Sequence, residues 1–528
     1  MKRRMALMTV VLAATLLAGC DKSEDKSTKL AVTHRGEVAA TKEAVVESRE
    51  LKLPAVGTFS EERYLARPET MIDVAEGSLI IAKDMYPDIA VPNYLRRIDV
   101  MAKELRTKLQ NKAEPHDIVQ VINDYLFKEQ GFRYEEGVHF LNAVLDQKRG
   151  SCVGLSTLYI ALTQRLKIRC FAVNIPRHEF VRFTKGNTKI NIEVMNGGTQ
   201  HSDEWYAKEC RIGVDAIKKG VYLQDMSVKE LLSNILNNRG NVRRLGGEYD
   251  KATRDLDLAL LLYPKSVDAY YSRGITHADM GQYNEGIKDC NAALALDPEC
   301  AYAYANRGVA YSGKGQYDRA LADYNKAIAL DPEMAGVYSN RGNLYKDKGD
   351  LERALEDYNR AIALDQKLAA AYCNRGNLLR ESGALARSIQ DFDMALQIDP
   401  RMADVYYNRG RAYTNMGDIS NAIASFSKAI EVDQKHVDAY YNRGMLHAMT
   451  GNHADAILDC DKAISLAPKS GNAHFIRAMA YGIKKDKKNA LGDLEKALQL
   501  DPGLTPVSQR NEAFKEWWTD PEYKRIFK

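Results

Sequence analysis

Cys152 stands in Lys148-Arg149-Gly150-Ser151-Cys152-Val153-Gly154-Leu155-Ser156, where an amphipathic helical pattern begins and runs to about residue 166. A thiol at a helix N-terminus lies at the positive end of the helix dipole, which favours the nucleophilic thiolate. His178 follows 26 residues later in Pro176-Arg177-His178-Glu179-Phe180, and Glu193 lies 15 further on, before Asn196-Gly197-Gly198. Gly186-Asn187 separates two apolar runs and reads as a two-residue hairpin turn. In that register Lys185 pairs with Thr188 and Phe180 with Glu193. His178 then shares a face with Glu193, one diagonal step away. A carboxylate so placed orients the imidazole, and the other ring nitrogen can take the proton of Cys152, the chemistry of thiol acyl transfer. A slip of one residue would put the two side chains on opposite faces. Read one at a time, Cys152 is more simply a packed helix cysteine and His178 a strand histidine.

The elements that must position these residues are mixed. Helical periodicity covers 71–85, 94–109 and 118–129; strand-like apolar runs follow the cysteine helix at 170–175, 179–183 and 189–194. A chain of 528 residues exceeds one core and divides into domains. Its net charge of +4 includes Lys2, Arg3 and Arg4; residues 1–19 hold no acidic residue, so without them the charge is 4 − 3 = +1. Near-neutrality gives no reason to expect a nucleic-acid partner. Seven cysteines beyond Cys20 are scattered without CxxC spacing, so neither a metal site nor a disulfide framework is expected, and no cofactor motif is present.

The leader has its own logic. A basic start, an apolar stretch over 5–17 too short to span a bilayer, and Leu17-Ala18-Gly19-Cys20 resemble the lipobox of bacterial lipoproteins. That resemblance implies cleavage before Cys20, lipid on its thiol, and a membrane-anchored protein on the extracytoplasmic side of a bacterial envelope. Residues 20–58 are polar and read as a tether.

From 229 onward the sequence is periodic. Pro264, Pro298, Pro332, Pro400, Pro468 and Pro502 lie on one 34-residue grid, with Gln366 and Gln434 at its other points. Gly240, Gly274, Gly308, Gly342, Gly376, Gly410 and Gly444 form a second column and Ala259 to Ala497 a third. Small residues at fixed offsets let paired helices approach closely, and proline ends the second helix. These columns resemble the tetratricopeptide family, and eight repeats over 229–504 are expected, followed by a capping helix over 505–528. The resemblance implies an inner groove lined by each repeat's first helix, taking a protein or extended peptide. Asn238, Asn306, Asn340, Asn374, Asn408 and Asn442 occupy one groove column, and amides there can pair with a peptide backbone, as in the asparagine ladder of O-GlcNAc transferase. Tyr407, Tyr441 and Phe475 offer an adhesive patch, or packing between repeats. An arginine column from Arg239 to Arg477 faces an aspartate column 16 residues on, broken only by Ser425, and reads as a structural ion-pair ladder.

The order Cys152, His178, Glu193, with the helix start Gly150 to Ser156 and the strand entry Pro176-Arg177-His178, resembles the transglutaminase-like superfamily of papain-like folds over about 70–210. That likeness implies Cys152 as nucleophile, His178 as general base and Glu193 as orienter, although the family usually has aspartate in the third place. The fold expected is therefore an α+β transglutaminase-like domain over 59–228 followed by an all-α tetratricopeptide solenoid. The activity implied is a thiol peptidase, amidase or transamidase; the alternative is a non-catalytic scaffold with a vestigial cysteine.

Overall fold

The computed structural model describes residues 61–509 and 511–527, which fall into two compact units divided between Val337 and Tyr338. Cys20, the leader and the tether lie outside the described residues.

In the first unit, helices α1 (Glu61–Leu65), α2 (Val74–Lys83), α3 (Val91–Lys108), α4 (Pro115–Asn123) and α5 (Leu141–Gln147) surround α6 (Cys152–Leu166). α4 runs on into a π-helical turn, Asp124–Glu129. Residues 153–163 of α6 are all buried, because this helix is apolar on nearly every face and can sit only inside a core. Ser151 caps it, its hydroxyl accepting from the N–H of Gly154 at 3.3 Å. Two short strands, β1 (Arg133–Tyr134) and β2 (Arg149–Gly150), pair in parallel just ahead of it.

A three-stranded antiparallel meander, β3 (Cys170–Ile175), β4 (His178–Lys185) and β5 (Thr188–Ile192), packs on α6. Lys185 pairs with Thr188 and Val181 with Ile192, the register expected from the Gly186-Asn187 turn. Arg182, 2% exposed, pins the chain that follows to the sheet: it donates to Asn191 at 2.8 Å, Asp225 at 2.8 Å and Asp203. Two helices the sequence did not signal, α7 (Asp203–Glu209) and α8 (Val214–Lys218), lie in that stretch.

Helix pairs then succeed one another, beginning with α9 (Val228–Leu245) and α10 (Tyr249–Leu262). The architecture is an α+β domain followed by an all-helical tetratricopeptide solenoid. The glycine column marks close helix approach: a Cβ on Gly308 would meet the Tyr324 ring at 2.7 Å and one on Gly410 the Phe426 ring at 2.6 Å. The first pair is not separate from the α+β domain. Leu231, Leu232, Ile235 and Leu236 of α9 share one core with Leu79, Val119 and Leu158, so this core does not stop at residue 228.

The arginine column forms the expected ladder. Arg273, Arg307, Arg375, Arg443 and Arg477 each bind the aspartate 16 residues on with two hydrogen bonds, as do Arg239 and Arg341, all of 2.6–3.0 Å. Most of these guanidiniums also reach back to the second helix of the preceding repeat, Arg273 to Asp257 at 2.6 Å for example. Arg409 lacks a carboxylate on its own repeat and donates to the Ser425 hydroxyl at 3.2 Å and to Asp393 at 2.6 Å.

In the second unit the last pair, Gly471–Ile483 and Lys487–Leu500, is covered by three short helical pieces, Thr505–Gln509, Glu512–Trp517 and Pro521–Arg525. A single capping helix was expected; Asn511 and Asp520 each cap a new turn and break it into pieces. Phe514 is wholly buried there and Tyr523 nearly so.

Candidate active site

Cys152 is the first residue of α6, half-buried, its thiol facing the backbone N–H groups of Val153 and Glu179. Burial pushes this thiol up to about 12, with the neighbouring Glu179 carboxylate as the second cause and Glu193 adding to it. The helix N-terminus was expected to favour thiolate; desolvation and two carboxylates outweigh the dipole. Cys152 thus rests as a neutral thiol.

His178 opens β4, and its Nε2 lies 2.7 Å from Oε2 of Glu193. With Nε2 engaged, Nδ1 is the nitrogen left to act as base. Glu193 is buried and tightly held: its Oε1 accepts from the N–H of Met195 at 3.0 Å and its Oε2 from the hydroxyl of Tyr206 at 3.1 Å. Its backbone is fixed too, the N–H donating to Thr199 at 2.7 Å and the carbonyl accepting from Gly198 at 2.9 Å. Gly198 has φ +88°, and a Cβ there would meet Asn123 Nδ2 at 2.3 Å. That close approach lets Asn123 donate to the Gly198 carbonyl at 3.0 Å and explains the Asn196-Gly197-Gly198 turn.

The structure therefore joins His178 directly to Glu193 and brings Cys152 to the strand at the next residue, Glu179. Among the described residues no hydrogen bond joins the thiol to the imidazole. Such contacts are often loose without substrate. Two residues at the site were not singled out in the sequence. Tyr206 stacks on Phe180 at 4.1 Å and holds Glu193. Glu179 is 1% exposed beside Cys152. No pattern flagged Tyr206, which arrives on a short helix without strong periodicity. His139 also adjoins the helix start, its Nδ1 3.1 Å from the Ser151 hydroxyl, and burial lowers its basicity.

The β3–β4 turn seats the site against the repeats. Arg177, at φ +60°, lies over the Tyr302 ring at 4.4 Å, and Asp268 and Tyr271 of the preceding repeat adjoin it. Asn234 of α9 donates to Glu179 at 2.7 Å.

The groove residues divide. Asn306 donates to the Tyr271 carbonyl at 3.1 Å and Asn374 to the Ser339 hydroxyl at 3.2 Å, so both amides already bind the preceding repeat. Asn238, Asn340 and Asn408 are half-buried. Asn442, Tyr407, Tyr441 and Phe475, expected in the groove, are 1%, 5%, 3% and 0% exposed and lie in the interior of the last repeats. They are packing residues. Large side chains at these positions fill the space between successive first helices, and Phe475 turns toward Phe514 of the tail.

Comparison with known proteins agrees with this architecture. A model described as the transglutaminase-like superfamily matches residues 92–242. Models of the tetratricopeptide repeat match 267–300, 301–334, 342–379, 376–417, 407–471 and 471–504. UPF0162 proteins of Xylella fastidiosa, strains Temecula1 and 9a5c, are 25% identical over 214 and 218 residues, each covering 38% of this chain and 76% of its own length. Among solved structures, YrrB, described as a TPR protein with an unusual peptide-binding site, is 27% identical over 34% of this chain and 92% of its own, with a TM-score of 0.31. MamA is 24% identical over 33% and 96%, with a TM-score of 0.31. The chain carries a transglutaminase-like domain followed by tetratricopeptide repeats.

Proposed function

We propose that this transglutaminase-like domain with tetratricopeptide repeats is an exported, lipid-anchored acyl-transfer protein, with Cys152 as nucleophile, His178 as base and Glu193 as orienter. The observation that carries the reading is the 2.7 Å bond from His178 Nε2 to a buried, clamped Glu193. Through it His178 Nδ1 takes the proton from Cys152 Sγ as the sulfur attacks an amide carbonyl. The backbone N–H of Cys152, one of the unpaired donors at the helix start, faces the developing oxyanion. The amine leaves with the proton from His178, and water or a second amine resolves the thioester, giving hydrolysis or transamidation. The repeats bind the protein or peptide that bears the amide, with Asn340 and Asn408 at groove positions, and lipid on Cys20 holds the assembly at the envelope membrane.

A scaffold without catalysis is the second reading, and the neutral resting thiol favours it. A thiol-reactive probe on the intact chain separates the two. Acyl transfer predicts labelling at neutral pH that is lost in Cys152→Ala and falls at least tenfold in His178→Ala. Labelling no faster than an ordinary surface thiol, and indifferent to His178, would select the scaffold. Alanine at Asn340 and Asn408 together should weaken partner capture without unfolding; unchanged capture refutes the groove assignment. Cys20→Ala should move the protein from the membrane to the soluble fraction.

A further inference from the structure

The residue after the base is itself an acid. Glu179 lies on β4 with 1% of its surface exposed. One carboxyl oxygen accepts from Asn234 Nδ2 at 2.7 Å, and the other, Oε1, is buried near the Ser156 hydroxyl. Among the described residues, no cation acts on its carboxyl. From α6 it faces Cys152 and Ser156, from α9 Asn234, and from β3 Asn174, its cross-strand partner. His178 precedes it on β4, and Glu193, which also acts on the thiol, is held by His178 and Tyr206. Of these groups Cys152, His178 and Glu193 carry ionisable side chains.

We infer that Glu179 is a buried acid governing Cys152, a positioning residue that leaves the thiol free to ionise while it carries its proton and holds it neutral once it has lost it. A carboxylate and a thiolate in one dry site cannot both be charged cheaply, so ionisation of one suppresses the other. Burial raises the Glu179 carboxyl to about 8, within the range where an envelope protein meets changing pH, while the bond from Asn234 favours its charged form. Asn234 belongs to the first helix of the repeat array, so the thiol's chemistry is tied to that helix through one hydrogen bond. The inference rests on the acyl-transfer reading for its purpose, but it is tested on the thiol alone.

The test is the rate of iodoacetamide alkylation at Cys152, followed by peptide mass in the full chain between pH 6 and 9.5, with Glu179→Gln against the native protein. The rates should agree near pH 6, where Glu179 is protonated, and diverge to about tenfold faster in the variant above pH 9, as one unit of thiol pKa implies. A ratio constant across the range would overturn the inference, since a merely structural role moves both limbs alike. Asn234→Ala supplies a second measurement should Glu179→Gln not fold. Losing the donor disfavours the carboxylate and should move the alkaline break in the Cys152 profile to higher pH; an unmoved break overturns the inference. A pH-dependent ratio in a protein whose Cys152 reacts no faster than a surface thiol, whatever stands at 178, would retain this inference and discard acyl transfer.

Discussion

The two ends of the repeat array solve one problem in different ways. A stack of helix pairs leaves an apolar face open at each end. At the start, the face of α9 merges into the core of the α+β domain, and the junction is closed by charge. Arg239, 2% exposed, holds Asp255 at 2.6 Å, both oxygens of Glu61 at 2.8 Å and the Ile81 carbonyl at 2.6 Å; Arg243 adds a second bond to Asp255 at 2.7 Å and one to Asp84. At the finish, Phe514 and Tyr523 cover the face largely by apolar contact, helped by the Tyr523 hydroxyl on the Ser508 carbonyl at 2.9 Å and Lys487 on Asp520 at 2.7 Å. The same arginine column that is a half-buried staple elsewhere becomes, in the first repeat, the buried centre of a domain junction. Position in the repeat sets the residue, and the neighbours set what it does.

Substitutions at the two ends and in the middle can break or sharpen this contrast. Asp255→Ala should have the largest effect, roughly 3–5 kcal/mol, because it removes the buried carboxylate that two buried guanidiniums share. Hydrogen exchange should then rise across α9 and the α+β core together; a loss confined to α10 would show that the junction is not shared. Phe514→Ala should cost about 3 kcal/mol by opening a cavity under the tail, toward the lower end for a buried phenylalanine. Exchange should rise in 471–500 and leave α9 unchanged, whereas a change in both would contradict the separation of the ends. Ser425→Asp, which restores the missing carboxylate to Arg409, should stabilise 403–432 by under about 1 kcal/mol, the value of a partly exposed pair. A destabilisation instead would mean that Ser425, 1% exposed, sits where a charge cannot be matched.

Much of this was legible in the sequence because it is periodic or local. The 34-residue columns gave the helix pairs and the arginine–aspartate ladder, and Gly186-Asn187 gave the register that puts His178 and Glu193 on one face. What was not legible depends on burial. Glu179 occupies an alternating strand position like any other, and nothing local says that its side chain enters a dry space beside Cys152. The helix start at Ser151 pointed to an acidified thiol, but burial reverses the shift, and the carboxylates that add to it lie 27 and 41 residues away in sequence. Tyr407, Tyr441 and Phe475 read equally as an adhesive patch or as packing, because the groove column does not distinguish a side chain facing solvent from one wedged between repeats. The first repeat obeys the same consensus as the others, so its absorption into the neighbouring core left no mark.

That absorption limits how the gene for such a chain can be rearranged. A middle unit meets mainly its neighbours, so copying or deleting one preserves every remaining junction. The first unit carries Leu231, Leu232 and Ile235 into another core, Arg239 to Glu61, and Asn234 to Glu179. A cut at residue 228 would leave the cysteine domain without part of its interior. The smallest piece that can be moved intact to another protein does not end after α10 either, because Val173, Ile175 and Phe180 share a second core with Val267, Ala293 and Leu294, and it takes at least two helical hairpins with it.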